Sequence, residues 1–128
     1  MINSIVKIIF ILIVAFHGLI HLLGFLKAFD LAKINKLTRP ISRPLGLLWL
    51  VAALALVATA AAFIFKAQWW GIVAIVGVVL SQILIFTAWK HARLGTIINF
   101  ILLIVAILAL GSFCFESGYR QDVYRAQE

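Results

Sequence analysis

Apolar positions in this chain fall in unbroken runs rather than alternating stripes, and each run is bounded by charge. Between Lys7 and Lys27, Arg43 and Lys66, Lys66 and Lys90, and Arg93 and Glu116 lie 19, 22, 23 and 22 consecutive uncharged residues. About 20 apolar residues carry a helix across a bilayer core, so the pattern predicts four transmembrane helices, at about 5–26, 44–65, 69–89 and 94–115. Ser42-Arg43-Pro44 suits the opening of the second, because a proline in the first helical turn lacks only an N–H that would be unpaired there anyway. The middle of that segment, from Ala52 to Ala62, is dominated by alanine. Small side chains let neighbouring helices approach closely, which matters where lipid supplies no hydrophobic force between them. Between the first two spans, Leu31, Ile34, Leu37 and Ile41 recur at helical spacing while Lys33, Asn35, Lys36 and Arg39 take the other side. This predicts a short amphipathic helix in the headgroup layer over 30–41, with Asp30 as its N-cap.

The fold class expected is therefore all-α: a four-transmembrane-helix bundle with one short interfacial helix between the first two spans. What lies outside the four runs is shorter than the roughly 50 residues a small independent domain requires, so residues 1–128 read as a single integral membrane domain. Composition agrees, with 66% hydrophobic and 12% charged residues where a soluble domain carries about 25% charged. The first run exceeds the roughly 7–15 apolar residues of a secretory signal and is followed by no small-x-small site; it is expected to be retained.

The net charge of +7 does not point to nucleic acid, because the basic residues sit at segment ends and in short loops, where anionic headgroups attract them. The 27–43 loop is the main expected lipid contact. Lys27, Lys33, Lys36, Arg39, Arg43, Lys90 and Arg93 fall on one side of the membrane, and Lys7, Lys66, Arg120 and Arg125 on the other. The more basic side stays cytoplasmic, which places both termini outside the cytoplasm of an inner-membrane protein. Cys114 is the only cysteine, so an internal disulfide, a CxxC redox pair and a cysteine-based zinc site are excluded.

Candidate chemistry lies in the few polar side chains inside the spans, since each costs free energy in hydrocarbon unless it is paired. His17 and His21 are one helical turn apart and share a face, with Gly24 on the same stripe. Gln82 shares a stripe with Gly71 on the third span, and Asn99 shares one with Gly95 and Ala106 on the fourth. At 1.5 Å per residue from the basic side, Asn99 lies about 8 Å deep, His21 about 9 Å, Gln82 about 12 Å and His17 about 15 Å. His17, His21, Gln82 and Asn99 are therefore expected to form a polar layer. It serves either to align helices or to receive a quinone, whose two carbonyls an imidazole N–H and an amide N–H can hold. A four-coordinate metal would want two ligands beyond the histidine pair, and no Asp or Glu lies within a span.

The stretch His17-Gly18-Leu19-Ile20-His21-Leu22-Leu23-Gly24-Phe25-Leu26-Lys27 resembles the first helix of DoxX-like four-helix membrane proteins, which often show a His-Gly step followed by a Lys. Pro40 to Gly46 matches a Pro-Ile-Ser-x-Pro-x-Gly turn found with that segment in a group of uncharacterised bacterial membrane proteins. The resemblance implies the four-helix membrane fold and carries no catalytic residue onto this chain. A small proton-coupled exporter of the small multidrug resistance family would carry a glutamate on its first helix, where this chain has histidines. The leading expectation is a non-catalytic inner-membrane protein with no resident cofactor, acting as subunit or accessory factor of a membrane-protein partner or as a homo-oligomer. A quinone-associated redox subunit and a small proton-linked transporter remain the alternatives.

Overall fold

The computed structural model of the chain describes residues 2–33 and 40–128. Five helices are present among them: α1 (Ile2–Ala28), α2 (Arg43–Ile64), α3 (Trp70–Thr87), the four-residue α4 (Trp89–Ala92) and α5 (Gly95–Gln127). α1, α2, α3 and α5 are each long and apolar enough to cross a membrane, and the protein is a multi-pass membrane protein built as an all-α bundle. α1 packs on α2, α2 on α3 and α3 on α5, while α1 and α5 touch little. One end of the bundle holds the C-termini of α1 and α3, the N-termini of α2 and α5, and α4. It is the basic end of the sequence reading.

Helix boundaries follow from local chemistry. Ser42 caps α2, accepting the Leu45 N–H on its hydroxyl at 3.4 Å, with Pro44 in the first turn. α1 ends at a Schellman motif: Asp30 N–H donates to Lys27 O at 3.2 Å, Leu31 N–H to Leu26 O at 2.9 Å, and Asp30 itself is left-handed at φ 54°. Asp30 thus closes the first helix instead of capping a following one. Its left-handed backbone is the geometry of a helix exit, whereas an N-cap residue is extended. Of the rest of the expected interfacial helix, residues 31–33 and 40–41 are not helical, and residues 34–39 lie outside the described residues. The short helix that is present, α4, sits between the third and fourth spans. α2 ends in the same way as α1, with Lys66 left-handed at φ 54°, Lys66 N–H bonded to Phe63 O and Ala67 N–H to Ala62 O. The fourth span runs on to Gln127, past the 94–115 expected, because the tail holds no proline and its one glycine, Gly118, is absorbed in mid-helix.

All four long helices meet in one core of Val14, Leu56, Ala60, Ala74, Val78, Leu102 and Ala106. Phe10, Phe63 and Trp70 close its far end with ring centroids 5.0–6.1 Å apart. At the basic end Trp49, Ala52 and Leu84 form a second cluster. The outer surface is leucine, isoleucine, valine and phenylalanine on every span, the surface that lipid requires and water would penalise.

Close approach between α1 and α2 depends on missing side chains. A Cβ on Gly18 would lie 3.2 Å from the Ala53 carbonyl oxygen, Gly24 lies beneath the Trp49 ring, and Gly46 faces the Ala28 methyl. Gly24→Val drives a branched side chain into Trp49 and is expected to destabilise the bundle by about 1–3 kcal/mol. Gly111→Ala, where nothing lies within 4 Å, leaves stability unchanged or slightly raised. Thermal unfolding in detergent compares the two, and equal melting would show that Trp49 is not seated on α1.

Candidate functional site

The polar residues of three spans meet in the half of the bundle nearer the basic end. His17 Nε2–H donates to Asn99 Oδ1 at 2.9 Å and lies 3.3 Å from Ser81 Oγ. Ser81 Oγ–H donates to Asn99 Oδ1 at 3.1 Å and accepts from Asn99 Nδ2 at 2.9 Å. The second Asn99 amide proton goes to Gln82 Oε1 at 3.1 Å, and Gln82 Nε2 donates to Thr96 Oγ1 at 3.1 Å. α1, α3 and α5 are thereby bonded into one network, with His17, Ser81 and Asn99 buried. Asn99 spends both lone pairs and both amide protons. Gly95 brings the first turn of α5 close to His17, since a Cβ there would lie 3.1 Å from His17 Cε1.

His17, Gln82 and Asn99 are brought together; His21 is not in the network. His21 donates from Nδ1 to the His17 carbonyl oxygen at 2.9 Å, within its own helix. The depth count put His21 within about 1 Å of Asn99 and His17 about 7 Å from it, but helix ends are not level, and counting from the nearest charge errs by about one turn. Ser81 and Thr96 were not singled out from the sequence. Serine and threonine routinely bond their own helix backbone, as Thr59 does here to Ala55 O at 2.8 Å. The available signal was adjacency: Ser81 precedes Gln82, and Thr96 lies one turn before Asn99.

His21 has other company. Its ring is 4.8 Å from that of His17 and 5.2 Å from that of Trp49. His21 Nε2 and Trp49 Nε1 are both buried with no hydrogen-bond partner. Both side chains line a cavity of about 510 Å³ between α1 and α5, roofed by His91 and Ala92 of α4 and walled by Ile85 and Ile98. Among the described residues no three His, Cys, Asp or Glu side chains come together as a metal site would require.

No family model, curated protein or solved structure matches the chain. The likeness to DoxX-like proteins thus rests on the first-helix motif, and the four-helix membrane architecture is the part of it that the structure shows.

The network is unequal in its demands. Asn99→Leu strands His17 Nε2–H, the Ser81 hydroxyl and Gln82 Oε1 together, and is expected to cost about 2–3 kcal/mol. Gln82→Leu frees one Asn99 amide proton and the Thr96 hydroxyl and is expected to cost about 1 kcal/mol, two hydrogen bonds at roughly 0.6 kcal/mol each between membrane helices. Unfolding of each variant in detergent, followed by the double mutant, measures the difference. Equal losses would show that Asn99 is not the centre.

Proposed function

We propose that the chain is a non-catalytic multi-pass protein of the inner membrane, acting as a subunit or accessory factor of a larger membrane assembly. The observation that carries this reading is that the polar side chains of the layer are bonded to one another. His17, Ser81, Asn99, Gln82 and Thr96 are spent on joining helices, so their amides and imidazole are not presented to a substrate. The quinone reading loses support on the same ground, because Gln82 and Asn99 have no amide proton directed into the cavity. Transport gains none, because the core of the other half of the bundle is Val14, Leu56, Ala74, Val78, Leu102 and Ala106, and among the described residues the buried Thr59 hydroxyl there is bonded to its own helix.

Both termini lie outside the cytoplasm in this reading, and Lys27, Lys33 and Arg43 face anionic headgroups on the cytoplasmic side. Tagged chain extracted in mild detergent is expected to migrate with a second membrane protein at fixed stoichiometry. Its visible spectrum should show no haem, and lipid extraction no stoichiometric quinone. Stoichiometric quinone would move the assignment to a redox subunit.

Cys114, exposed on α5 on the side of the bundle away from α4, reports the topology. An impermeant thiol reagent applied to cells with a permeabilised outer envelope should label Cys114. In the Lys33→Cys, Cys114→Ser variant the new thiol should stay protected until the inner membrane is broken. Labelling at position 33 in intact cells would reverse the orientation.

A further inference from the structure

A second cavity, of about 510 Å³, opens at the end of the bundle away from α4, between α1, the α2–α3 turn and α5. Three stripes of side chains line it, and each changes character in the same direction. On α1, Ile11 lies one turn deeper than Lys7; at the end of α2, Phe63 and Ile64 lie deeper than Lys66; on α5, Ala109 and Ser112 lie deeper than Glu116. The wall therefore passes from apolar toward the bundle centre to charged at the mouth, which is the profile of a lipid from acyl chain to head. Ile8, Ile64 and Leu108, beside the cavity, are exposed on the outer surface of the bundle, so the cavity borders the acyl chains of the bilayer.

The charges at the mouth define the head. The lining holds three charged side chains, Lys7, Lys66 and Glu116, with Gln68 and Ser112 as neutral polar groups; Arg120, one turn further along α5, lies outside it. All three charged residues are exposed, and among the described residues no ion pair joins them to one another. The Lys66 backbone is fixed at the turn, left-handed at φ 54° with its N–H on Phe63 O, and both lysines carry the ammonium on a flexible four-carbon stem. Two ammonium groups suit a phosphate, which lysine meets as a point charge. An anionic head with no cation of its own would leave the Glu116 carboxylate facing like charge. A head that carries an ammonium beside its phosphate satisfies all three groups. A primary ammonium also gives Glu116 charge-assisted hydrogen bonds, which the quaternary nitrogen of choline cannot donate.

We propose that this cavity binds one phospholipid with a phosphoethanolamine head, in the leaflet on the side of the membrane away from α4. Its phosphate lies between the Lys7 and Lys66 ammonium groups, its own ammonium meets the Glu116 carboxylate, and its acyl chains descend past Ile11 and Ala109. The volume is within the roughly 300–1,000 Å³ of small-molecule sites. Neither the His17–Asn99 bond nor a partner protein is needed for the site, so the isolated chain holds the lipid.

Competition between two lipids with identical dioleoyl chains tests this: phosphatidylethanolamine, and phosphatidylglycerol, whose head is anionic and has no ammonium. The full chain in mild detergent is given both at equal concentration, and the retained lipid is read by native mass spectrometry. A basic surface alone, on a chain of net charge +7, favours phosphatidylglycerol. The site favours phosphatidylethanolamine, by about threefold to fivefold, the worth of one solvent-exposed ion pair. Glu116→Gln, which keeps the shape and removes the charge, is expected to abolish or reverse that preference. Lys7→Gln combined with Lys66→Asn, the asparagine being suited to a left-handed backbone, is expected to reduce retention of both lipids about tenfold or more. Ser112→Trp fills the cavity below the charges and is expected to remove bound phosphatidylethanolamine with all three charges in place. The four substituted positions are exposed, so the core is untouched, and thermal melting of each variant verifies the fold. Equal retention of the two lipids, preference for phosphatidylglycerol, a ratio unchanged by Glu116→Gln, or retention unchanged by Ser112→Trp or by the double lysine variant would overturn the proposal. So would displacement of the lipid by an equal concentration of soluble O-phosphoethanolamine, which would assign the site to a free phosphoester.

Discussion

A side-chain amide placed in hydrocarbon has no water to fall back on, and Asn99 makes the register of the bundle answer to that constraint. Its oxygen takes protons from His17 on α1 and Ser81 on α3, and its nitrogen gives protons to Ser81 and Gln82. A slip of one residue along α5 would move this group by 1.5 Å and turn it by about 100°. Every one of those bonds would then be broken at once. Lipid-facing leucines and isoleucines tolerate such a slip, since one apolar face meets acyl chains as well as another. The polar network is therefore what singles out one register among several of similar packing quality.

α2 stands outside that network and is held by shape. Thr59, its buried hydroxyl, bonds back to the Ala55 carbonyl of its own helix. Contact with α1 comes from Gly18, Gly24 and Gly46, and contact with α3 from Gly77 beside Ala55 and Leu56. The bundle thus uses two kinds of adhesion, small-residue interlocking for α1–α2–α3 and hydrogen bonds for α1–α3–α5. A seam follows from this division. α1 and α5 are joined through His17 and Asn99 and approach closely at Gly95, but otherwise touch little, and a cavity lined by His21 and Trp49 lies beside them.

The membrane architecture was legible in the sequence because it depends on run length alone, a property that survives any detail of packing. His17, Gln82 and Asn99 were legible because amides and imidazoles are rare in spans and their depths can be counted. Other features depend on information that spacing does not hold. Ser81 joins the network through the rotation of α3, which a charge-to-charge count does not give. Trp49 carries no signal in the sequence pattern; its ring is seated over Gly24 and its indole nitrogen is buried and unmet only in the folded bundle. Asp30 is favoured both at N-caps and in left-handed turns, and composition does not choose between them. The choice fell to α1, whose last two carbonyl partners, on Leu26 and Lys27, are satisfied by the turn that Asp30 permits.

The same geometry separates two roles that the sequence merged. Paired on one helical face, His17 and His21 read as equivalent ligands or as a relay, yet their ring nitrogens have opposite fates. His17 commits Nε2 to a neighbouring helix, and moving it would disturb α5. His21 turns Nδ1 back to its own backbone, and its Nε2 is buried without a hydrogen-bond partner. A relay needs successive groups along the membrane normal, whereas the bonds from His17 run across the bundle through Ser81, Asn99 and Gln82 to Thr96 and end on the same level. On the far side of that level, among the described residues, the buried hydroxyl of Thr59 is spent on the Ala55 carbonyl of its own helix, and the core from Val14 to Phe10 and Trp70 is apolar.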